Sequence, residues 1–348
     1  MNHMQIELTN RCNFQCEFCA TKNNRNYSEM PIEKVYELLD EAKDMEMPGG
    51  KIWMISFNGL GEPTLHKDLV KAVVYAKKLY PYVGFITNGY LMNEDLSRKL
   101  LQADMDFVCF SVNAVDADVY KHFQGYGLKD PEKTLHTVLN NIKTFLRLRD
   151  EMYKQTEVRI SYILTKDSDK HLNKFVNYWK KTGHEVMLPI TKLMTWKTPD
   201  KVKYTRCERI TEDFLILANG DVSMCACDHL RGSILGNIYE TPLKDIIGGK
   251  RCKEILDAHE KMDLNRIPAS CLKCDKLMDH GFLRNYSTGY KTLYVNNWQK
   301  SLKWFIYTKG LNVFTELKKH PSTFGFWRSV KKYMIHKETA SRSKIKCK

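Results

Sequence analysis

The sequence predicts an α/β fold built on a parallel sheet, and three observations lead to that prediction. Strand-like and helix-like segments alternate along the chain as far as Ile190. The 348 residues and their 43% hydrophobic content are enough for a sizeable core. No run of residues is as long and apolar as a membrane span. Alternation of this kind is typical of parallel strands covered by helices.

Six strands are predicted, with helices in the intervals between them. The strand-like segments are His3–Leu8, Lys51–Phe57, Tyr82–Thr87, Phe107–Val112, Glu157–Leu164 and Glu185–Ile190. The helix-like segments are Ile32–Met45, His66–Leu79, Asn93–Gln102, Pro131–Tyr153 and His171–Lys181. Six units are too few for a closed eight-stranded barrel, which needs about 250 residues. The alternation by itself fits both an open partial barrel and a doubly wound sheet.

Composition divides the chain into three predicted regions. We expect a barrel-like domain over residues 1–195, a small Cys-rich domain over 196–280 and a helical extension over 281–348. Nearly all of the net charge of +14 lies in the extension, which has 15 Lys/Arg and 2 Asp/Glu. Its lysines alternate with aromatic residues. This composition favours an anionic membrane surface or lipid-linked substrate first, packing on the barrel second and nucleic acid third.

Three of the eleven cysteines follow the first predicted strand. Cys12, Cys16 and Cys19 have C-x3-C-x2-C spacing, and the aromatic Phe18 precedes the third. A closed structural metal site takes four protein ligands, so three thiolates on a [4Fe–4S] cube leave one iron open to a small chelating molecule. A zinc knuckle is the alternative. So many cysteines without a predicted signal peptide indicate a reducing compartment, and we expect a cytoplasmic location, with peripheral membrane contact through the extension.

This cysteine loop resembles that of the radical S-adenosylmethionine (SAM) superfamily. The resemblance implies an open (β/α)6 TIM-like barrel and a [4Fe–4S] cluster that binds SAM. It implies reductive cleavage of SAM to methionine and a 5′-deoxyadenosyl radical, which abstracts hydrogen from a substrate. It also implies an electron donor of the flavodoxin or ferredoxin type.

Small and polar residues at the ends of the next three strands extend the resemblance. The implied SAM-binding residues are Phe18, Gly61, Glu62, Asn88, Ser111 and Asn113. Gly61 and Glu62 lie in a turn similar to the one that holds the SAM amino group in this family. Ser111 and Asn113 are expected at the ribose or carboxylate, and Phe18 near the adenine. The alternative is that these are ordinary turn and core residues.

A second group of cysteines surrounds a predicted hairpin at Asn219-Gly220. Its members are Cys207, Cys225, Cys271 and Cys274. The group resembles the SPASM/Twitch extension of radical SAM enzymes, in the shorter Twitch form. That resemblance implies an auxiliary [4Fe–4S] cluster closed by four thiolates, which suits electron transfer. Spacing alone also permits a four-cysteine zinc site.

Five further residues are candidates for catalysis. Arg159 lies on the fifth predicted strand, close to Tyr162, and Lys192 follows the sixth; each has surface or core packing as its alternative. Cys227 and Cys252 are thiols outside both predicted ligand sets. By resemblance to radical SAM epimerases, either thiol could return a hydrogen atom to a substrate radical, and Cys227 is also a spare cluster ligand.

The resemblance favours oxidation of an alcohol on a sugar or cyclitol, with the auxiliary cluster as electron acceptor, as in the Twitch-type aminocyclitol dehydrogenases. Epimerisation with a cysteine hydrogen donor is the first alternative, and peptide modification is the second. A different class is a zinc-containing RNA-binding protein that uses both cysteine sites and the basic extension.

Overall fold

The computed structural model of the chain describes residues 2–19, 26–47, 50–164, 168–192, 204–228, 231–274, 277 and 291–296. All of them belong to one unit, Met1–Asn296. Most of the predicted extension, including its aromatic clusters, lies outside the described residues, as does the connector at 193–203. In the described part of the chain, no helix is both long and apolar enough to cross a membrane.

One sheet organises the described residues. Its strands are β1 (Asn2–Ile6), β2 (Glu46–Met47), β3 (Gly50–Phe57), β4 (Tyr82–Thr87), β5 (Phe107–Ser111), β6 (Glu157–Leu164), β7 (Val186–Lys192), β8 (Asp213–Ile216), β9 (Asp221–Ser223), β10 (Ile234–Asn237) and β11 (Lys291–Val295). The spatial order is β10-β9-β8-β1-β3-β4-β5-β6-β7-β11, with β2 beside β3. The seven strands from β8 to β7 run parallel, and the sheet is not closed. The predicted open, TIM-like architecture is therefore confirmed.

The described residues form nine α-helices, and side chains of the first seven belong to the main apolar core together with those of the strands. The helices are α1 (Ile32–Ala42), α2 (Leu69–Leu79), α3 (Glu94–Gln102), α4 (Ala117–His122), α5 (Pro131–Glu151), α6 (Leu172–Lys181), α7 (Leu243–Gly248), α8 (Lys250–Lys261) and α9 (Ala269–Leu272). Local sequence fixes several starts. Asn93 accepts a hydrogen bond from the Leu96 amide at the start of α3, and Asp130 accepts one from Lys133 ahead of Pro131 in α5.

The two faces of β1 have opposite chemistry. Met4 and Ile6 are fully buried and belong to the main apolar core, together with helix residues such as Leu38 of α1. His3 and Gln5 alternate with them and make polar contacts with β3 on the other face. The apolar side chains thus turn towards the helices, and the concave face of the open barrel is polar.

All six predicted strands and all five predicted helices are present, with shifted ends. The helix predicted from His66 begins at Leu69, because a short 3₁₀ turn at Pro63–Leu65 precedes it. The short helix α4 was not predicted. The hairpin predicted at Asn219-Gly220 is formed by β8 and β9, and Gly220 has a φ of +90°.

The Cys-rich segment contributes directly to the barrel sheet. Strand β8 pairs in parallel with β1, in a register that joins His3 to Asp213 and Ile6 to Ile216. At the opposite edge, β11 pairs antiparallel with β7. Thus three strands of the predicted Cys-rich region (β8, β9 and β10), and one within the predicted extension (β11), lie in the same sheet as the six predicted strands.

Candidate functional site

The loop with Cys12, Cys16 and Cys19 follows β1 at the carboxyl edge of the parallel sheet, where barrel enzymes place their chemistry. Two contacts hold it there. Asn88, just after β4, donates a hydrogen bond from Nδ2 to Asn13 Oδ1 at 2.8 Å. The Glu17 amide donates to the carbonyl of Phe123 at 3.0 Å, at the end of α4. The loop is therefore fastened on both sides.

The three thiols interact with one another electrostatically, which places them around a common space. Burial, together with the charges of Glu62 and Cys19, raises the pKa of Cys12 to about 11. Burial also raises the pKa of Cys16, with added contributions from Cys19 and Cys12. Thiolates at neutral pH therefore need a nearby positive charge, and iron supplies it. Three converging thiols fit a cluster with one open iron.

The turn at Gly61 lies directly against this loop. The Glu62 amide donates a hydrogen bond to the Arg11 carbonyl at 2.8 Å. A Cβ added at Gly61 would lie 2.1 Å from the Thr9 carbonyl oxygen, so only glycine permits this approach. The sequence correctly placed the turn beside the cysteine loop.

The Glu62 carboxylate already accepts four hydrogen bonds from other residues of the protein. It accepts hydrogen bonds from the amide and hydroxyl of Thr64, at 3.1 and 2.6 Å, and from the Thr87 hydroxyl and the Asn88 amide, both at 2.7 Å. Burial raises its pKa, and these donors oppose that rise. The carboxylate thus ties the turn to the end of β4, and direct contact of Glu62 with SAM stays a prediction.

Two buried polar atoms at the same edge have no partner among the described residues. Asn113, at a φ of +58°, accepts a hydrogen bond at Oδ1 from the Ile163 amide, but its Nδ2 has none. Gln124 donates from Nε2 to the Ser111 carbonyl, but its Oε1 has none. An unpaired donor and an unpaired acceptor fit a ligand with a carboxylate and hydroxyl or amino groups. The Phe18 ring centre lies 6.4 Å from that of Phe123, and the place of Phe18 near the adenine of SAM stays a prediction.

A row of polar side chains crosses the concave face below the cysteine loop. His3 Nε2 lies 2.6 Å from Ser56 Oγ, and Asn58 donates to Gln5 Oε1 at 2.6 Å. Burial, followed by the charges of Arg209 and Arg159, lowers the pKa of His3 to about 3. The alternation of polar and apolar residues along β1 is the sequence signal that indicates this polar row, which was not among the predicted site residues.

Glu7 ends that row and was also missed. Its side chain is 2% exposed, and burial raises its pKa. Its carboxylate accepts hydrogen bonds from the Leu60 amide at 2.5 Å and the Ala218 amide at 3.0 Å. Leu60 belongs to the turn beside the cysteine loop, whereas Ala218 belongs to the β8–β9 hairpin. Glu7 therefore joins the barrel to the Cys-rich segment.

The second group of cysteines lines a single cavity. The cavity has a volume of about 400 Å³, part of it open to solvent. Its cysteines are Cys207, Cys225, Cys227, Cys271 and Cys274. All four predicted ligands are therefore brought together although they are distant in sequence, which fits a closed cluster. Among the described residues, no three His, Cys, Asp or Glu side chains are grouped closely enough to hold a single metal ion. A four-iron cube does not require such a group, because each of its irons binds a different thiolate.

Cys227 lies in this cavity as a fifth thiol. A side-chain hydrogen bond with Cys227, followed by burial, raises the pKa of Cys225. The Cys227 amide also donates to Cys225 Sγ at 3.3 Å. This position agrees with a spare thiol beside the cluster, and it separates Cys227 from the cysteine loop that follows β1.

Arg159 does not face the edge where the cysteine loop lies. It is near the start of β6, roughly 16 Å of strand before Leu164. It donates to Glu157 at 2.6 Å and to the Tyr82 hydroxyl at 2.9 Å, and lies 4.5 Å from the Phe107 ring centre. This paired position argues against the predicted catalytic role.

The environments of two other candidates, Tyr162 and Cys252, differ from the predicted ones. Tyr162 is fully buried and its hydroxyl donates to the Ser168 carbonyl, on the helix-covered side. Cys252 is 1% exposed, with its thiol 3.8 Å from Met224 Sδ in a small apolar cluster. This is the setting of a structural thiol, and it argues against a hydrogen-donor role. The side chain of Lys192 lies outside the described residues.

Comparison with family models agrees with this geometry. Residues 6–174 match the model described as the radical SAM superfamily, and residues 207–275 match that of the SPASM iron-sulfur cluster-binding domain. The second match begins at Cys207, the first of the four predicted auxiliary ligands, and it also contains Cys274, the last of them. The radical SAM and auxiliary-cluster interpretations are confirmed, with SAM and [4Fe–4S] clusters as cofactors.

Curated relatives have several activities. A tungsten-containing aldehyde ferredoxin oxidoreductase cofactor-modifying protein of Pyrococcus furiosus is 26% identical over 204 residues, covering 58% of this chain and 54% of that protein. A probable GTP 3′,8-cyclase of Saccharolobus solfataricus is 28% identical, covering 53% and 54%. A PqqA peptide cyclase of Granulibacter bethesdensis is 31% identical, covering 32% and 29%. The chain spans about half the length of the first two relatives, and less of the third.

Solved structures share the fold. Native anSMEcpe with bound AdoMet has a TM-score of 0.59 at 18% identity, covering 88% of this chain and 96% of that one. BtrN in complex with AdoMet and 2-DOIA has a TM-score of 0.50 at 15% identity, covering 79% and 93%. At these identities the likeness concerns the architecture alone.

Proposed function

The chain belongs to the radical SAM superfamily and carries a SPASM-type auxiliary cluster domain, and we propose that it oxidises an alcohol on a small sugar or cyclitol. When bound, the cofactors supply the radical that takes hydrogen from the carbon bearing the hydroxyl group, and they also supply an acceptor for the second electron. The residues of this chain bind these groups, orient the substrate and exclude water from the site.

The proposed ligands come from the two cysteine groups. Cys12, Cys16 and Cys19 hold the SAM cluster and leave one iron for SAM. The auxiliary cluster is held by Cys207, Cys225, Cys271 and Cys274, so that each of its irons has a ligand from the protein. At the SAM site we assign Asn113 Nδ2 to the carboxylate or ribose of SAM, because it is a buried donor without a partner in the described structure.

The polar row on the concave face is the observation that supports a small hydroxylated substrate. It runs from His3 to Glu7 between the two cysteine sites. Strand β9 is antiparallel to β8, so its continuation to Cys225 returns to the edge where β1 begins. The rise from His3 to Leu8 is roughly 17 Å. A substrate on this face lies between the radical source and the proposed electron acceptor.

Peptide modification is the main alternative, and similarity to a peptide cyclase supports it. Epimerisation is less well supported than either, because Cys252 is enclosed by apolar side chains and Cys227 lies in the auxiliary cavity. A flavodoxin- or ferredoxin-type electron donor belongs to the same proposal.

The test incubates anaerobically reconstituted protein with SAM and a reductant in deuterated water, against sugar, cyclitol and peptide fractions. We expect an oxidised alcohol product with one 5′-deoxyadenosine per turnover. Exclusive modification of the peptide fraction would overturn the proposal. A stereo-inverted product carrying solvent deuterium would establish epimerisation instead.

Variants separate the roles of the thiols. We expect Cys12→Ala to abolish SAM cleavage and Cys271→Ala to keep it while lowering the yield of oxidised product. Cys252→Ala is the matched control, because its thiol lies outside both sites. Retention of product formation by Cys252→Ala would exclude Cys252 as a hydrogen donor, whereas its loss would favour the epimerase.

A further inference from the structure

A buried histidine faces the auxiliary cavity. His259, on α8, is 1% exposed and lines the cavity together with the five cysteines. Neither of its ring nitrogens has a hydrogen-bond partner among the described residues. Ser270 lines the same cavity and is 4% exposed, but its hydroxyl makes no hydrogen bond with the imidazole.

An unpaired imidazole in this position is costly. A buried polar group that loses its water without gaining a partner destabilises the folded protein. Either neutral tautomer of histidine carries one N–H donor and one acceptor nitrogen. The cavity therefore contains a donor for which the described residues supply no acceptor, and a group bound in the cavity is in position to supply one.

The chemistry of the other residues identifies that acceptor. Five thiols line the cavity, and a cube has four irons, so iron coordination does not require the imidazole. Thiolate and sulfide sulfurs of a cluster accept hydrogen bonds, and such bonds are among the main determinants of its reduction potential.

We propose that His259 donates a ring N–H hydrogen bond to a sulfur atom of the auxiliary cluster. This inference rests on the proposed ligand set of Cys207, Cys225, Cys271 and Cys274. Reduction adds negative charge to the sulfurs, so the hydrogen bond strengthens in the reduced state and raises the potential. A raised potential suits a cluster that accepts an electron. His259 is thus a positioning and tuning residue and makes no contact with the substrate.

The test measures the auxiliary cluster alone, in the full-length chain. A Cys12→Ala, Cys16→Ala, Cys19→Ala background removes the SAM cluster, and a redox titration followed by electron paramagnetic resonance gives the midpoint potential. In that background, His259→Phe keeps a planar ring without a donor, and His259→Gln keeps a donor. His66→Gln is the matched control, because His66 is also buried but its ring bonds to the Met30 carbonyl at 3.1 Å.

We expect about four irons per chain in every histidine variant. His259→Phe should shift the midpoint to a more negative potential, His259→Gln should recover part of that shift, and His66→Gln should leave the potential unchanged. An unchanged potential and spectrum in His259→Phe would overturn the inference. Loss of one iron from the cube in both His259 variants would also overturn it, since His259 would then be a ligand.

Failure of the ligand set is distinguishable from failure of this inference. In the same background, Cys271→Ala should lose iron or convert the cube to a three-iron form. Full iron content with an unaltered spectrum in Cys271→Ala would overturn the ligand set and the inference together. If His259→Phe does not accumulate as folded protein, the potential of His259→Gln against that of His259→Asn, whose shorter amide withdraws from the sulfur, gives the same comparison.

Discussion

His3 shows how a single residue of the concave face connects stability to pH. Burial next to Arg209 and Arg159 keeps its ring neutral, with a pKa lowered to about 3 from an ordinary value of 6.5. The unfolded chain therefore takes up this proton first as pH falls. Stability is retained above about pH 6.5 and is lost progressively as the pH drops towards 3.

Replacing His3 should reduce the loss of stability in acid. Between pH 7 and pH 5.5 we expect the free energy of unfolding of His3→Gln to fall by about 1 kcal/mol less than that of the wild type. Anaerobic urea denaturation at the two pH values measures this. His136→Gln, an exposed position on α5, is the control and should follow the wild type. Identical acid sensitivity in His3→Gln and wild type would contradict the assignment.

Asn113 offers a test of the SAM site at the same scale. Asn113→Asp keeps the Oδ1 acceptor for the Ile163 amide and tolerates the positive φ, but it replaces the unpaired donor by an acceptor. We expect SAM affinity to fall about tenfold or more, because a hydrogen bond to a charged group is worth about 1.5–3 kcal/mol. Isothermal titration of SAM into the reconstituted protein measures the change.

The control for Asn113 is Asn93→Asp at the start of α3, where aspartate caps the helix equally well. Its SAM affinity should equal that of the wild type. Unaltered affinity in a folded Asn113→Asp protein would remove Asn113 from the proposed site.

At the scale of elements, close contact of two loops builds the site. The turn after β3 can lie on the loop after β1 only because Gly61 has no side chain, and Glu62 then fastens that turn to the end of β4. The cysteine loop therefore owes its position to neighbouring strands as much as to its own sequence.

Gly61→Ala should displace this turn. With the new Cβ 2.1 Å from the Thr9 carbonyl, we expect a loss of about 3 kcal/mol in stability and reduced iron in the SAM cluster. Gly248→Ala is the control, because nothing lies within 4 Å of its Cβ position and helix propensity changes stability by only about 1 kcal/mol. Iron analysis and thermal denaturation compare them. Normal iron content and stability in Gly61→Ala would show that the turn does not support the loop.

At the scale of the whole molecule, the sheet continues beyond the six predicted strands on both sides. Strand β8 brings the auxiliary segment against β1, and β11 covers the edge of β7 with Val295 buried. A boundary at residue 280 would therefore cut away a strand of the sheet.

Two truncations test this boundary. Removal of 297–348 should leave the iron content and the melting temperature unchanged, because the unit Met1–Asn296 stays intact. Removal of 281–348 also deletes β11, and we expect a lower melting temperature and aggregation from the exposed β7 edge. Equal melting temperatures for the two truncated proteins would contradict a structural role for β11.

The same proteins test the proposed membrane contact. We expect the full chain to sediment with anionic liposomes more than the protein ending at Asn296. Equal sedimentation of the two would reject a membrane role for the basic extension.

Local sequence determined the six strands, the five helices and both sets of cysteines, because periodicity, caps and ligand spacing are short-range properties. It also placed Gly61 and Glu62 beside the cysteine loop, through their position at a strand end. Arg159 and Cys252 could not be judged in this way, since the hydrogen bond of Arg159 to Tyr82 and the contact of Cys252 with Met224 depend on residues that only the fold brings near.

The tertiary structure alone decided what the two cysteine sites share. The register of β8 on β1 sets the sites at opposite ends of one polar face, and Glu7 bonds to Leu60 and Ala218, which are 158 positions apart in the chain. His259 likewise gains its meaning only from the cavity it lines. Pairing across such separations follows from the packing of the whole sheet, which no local pattern encodes.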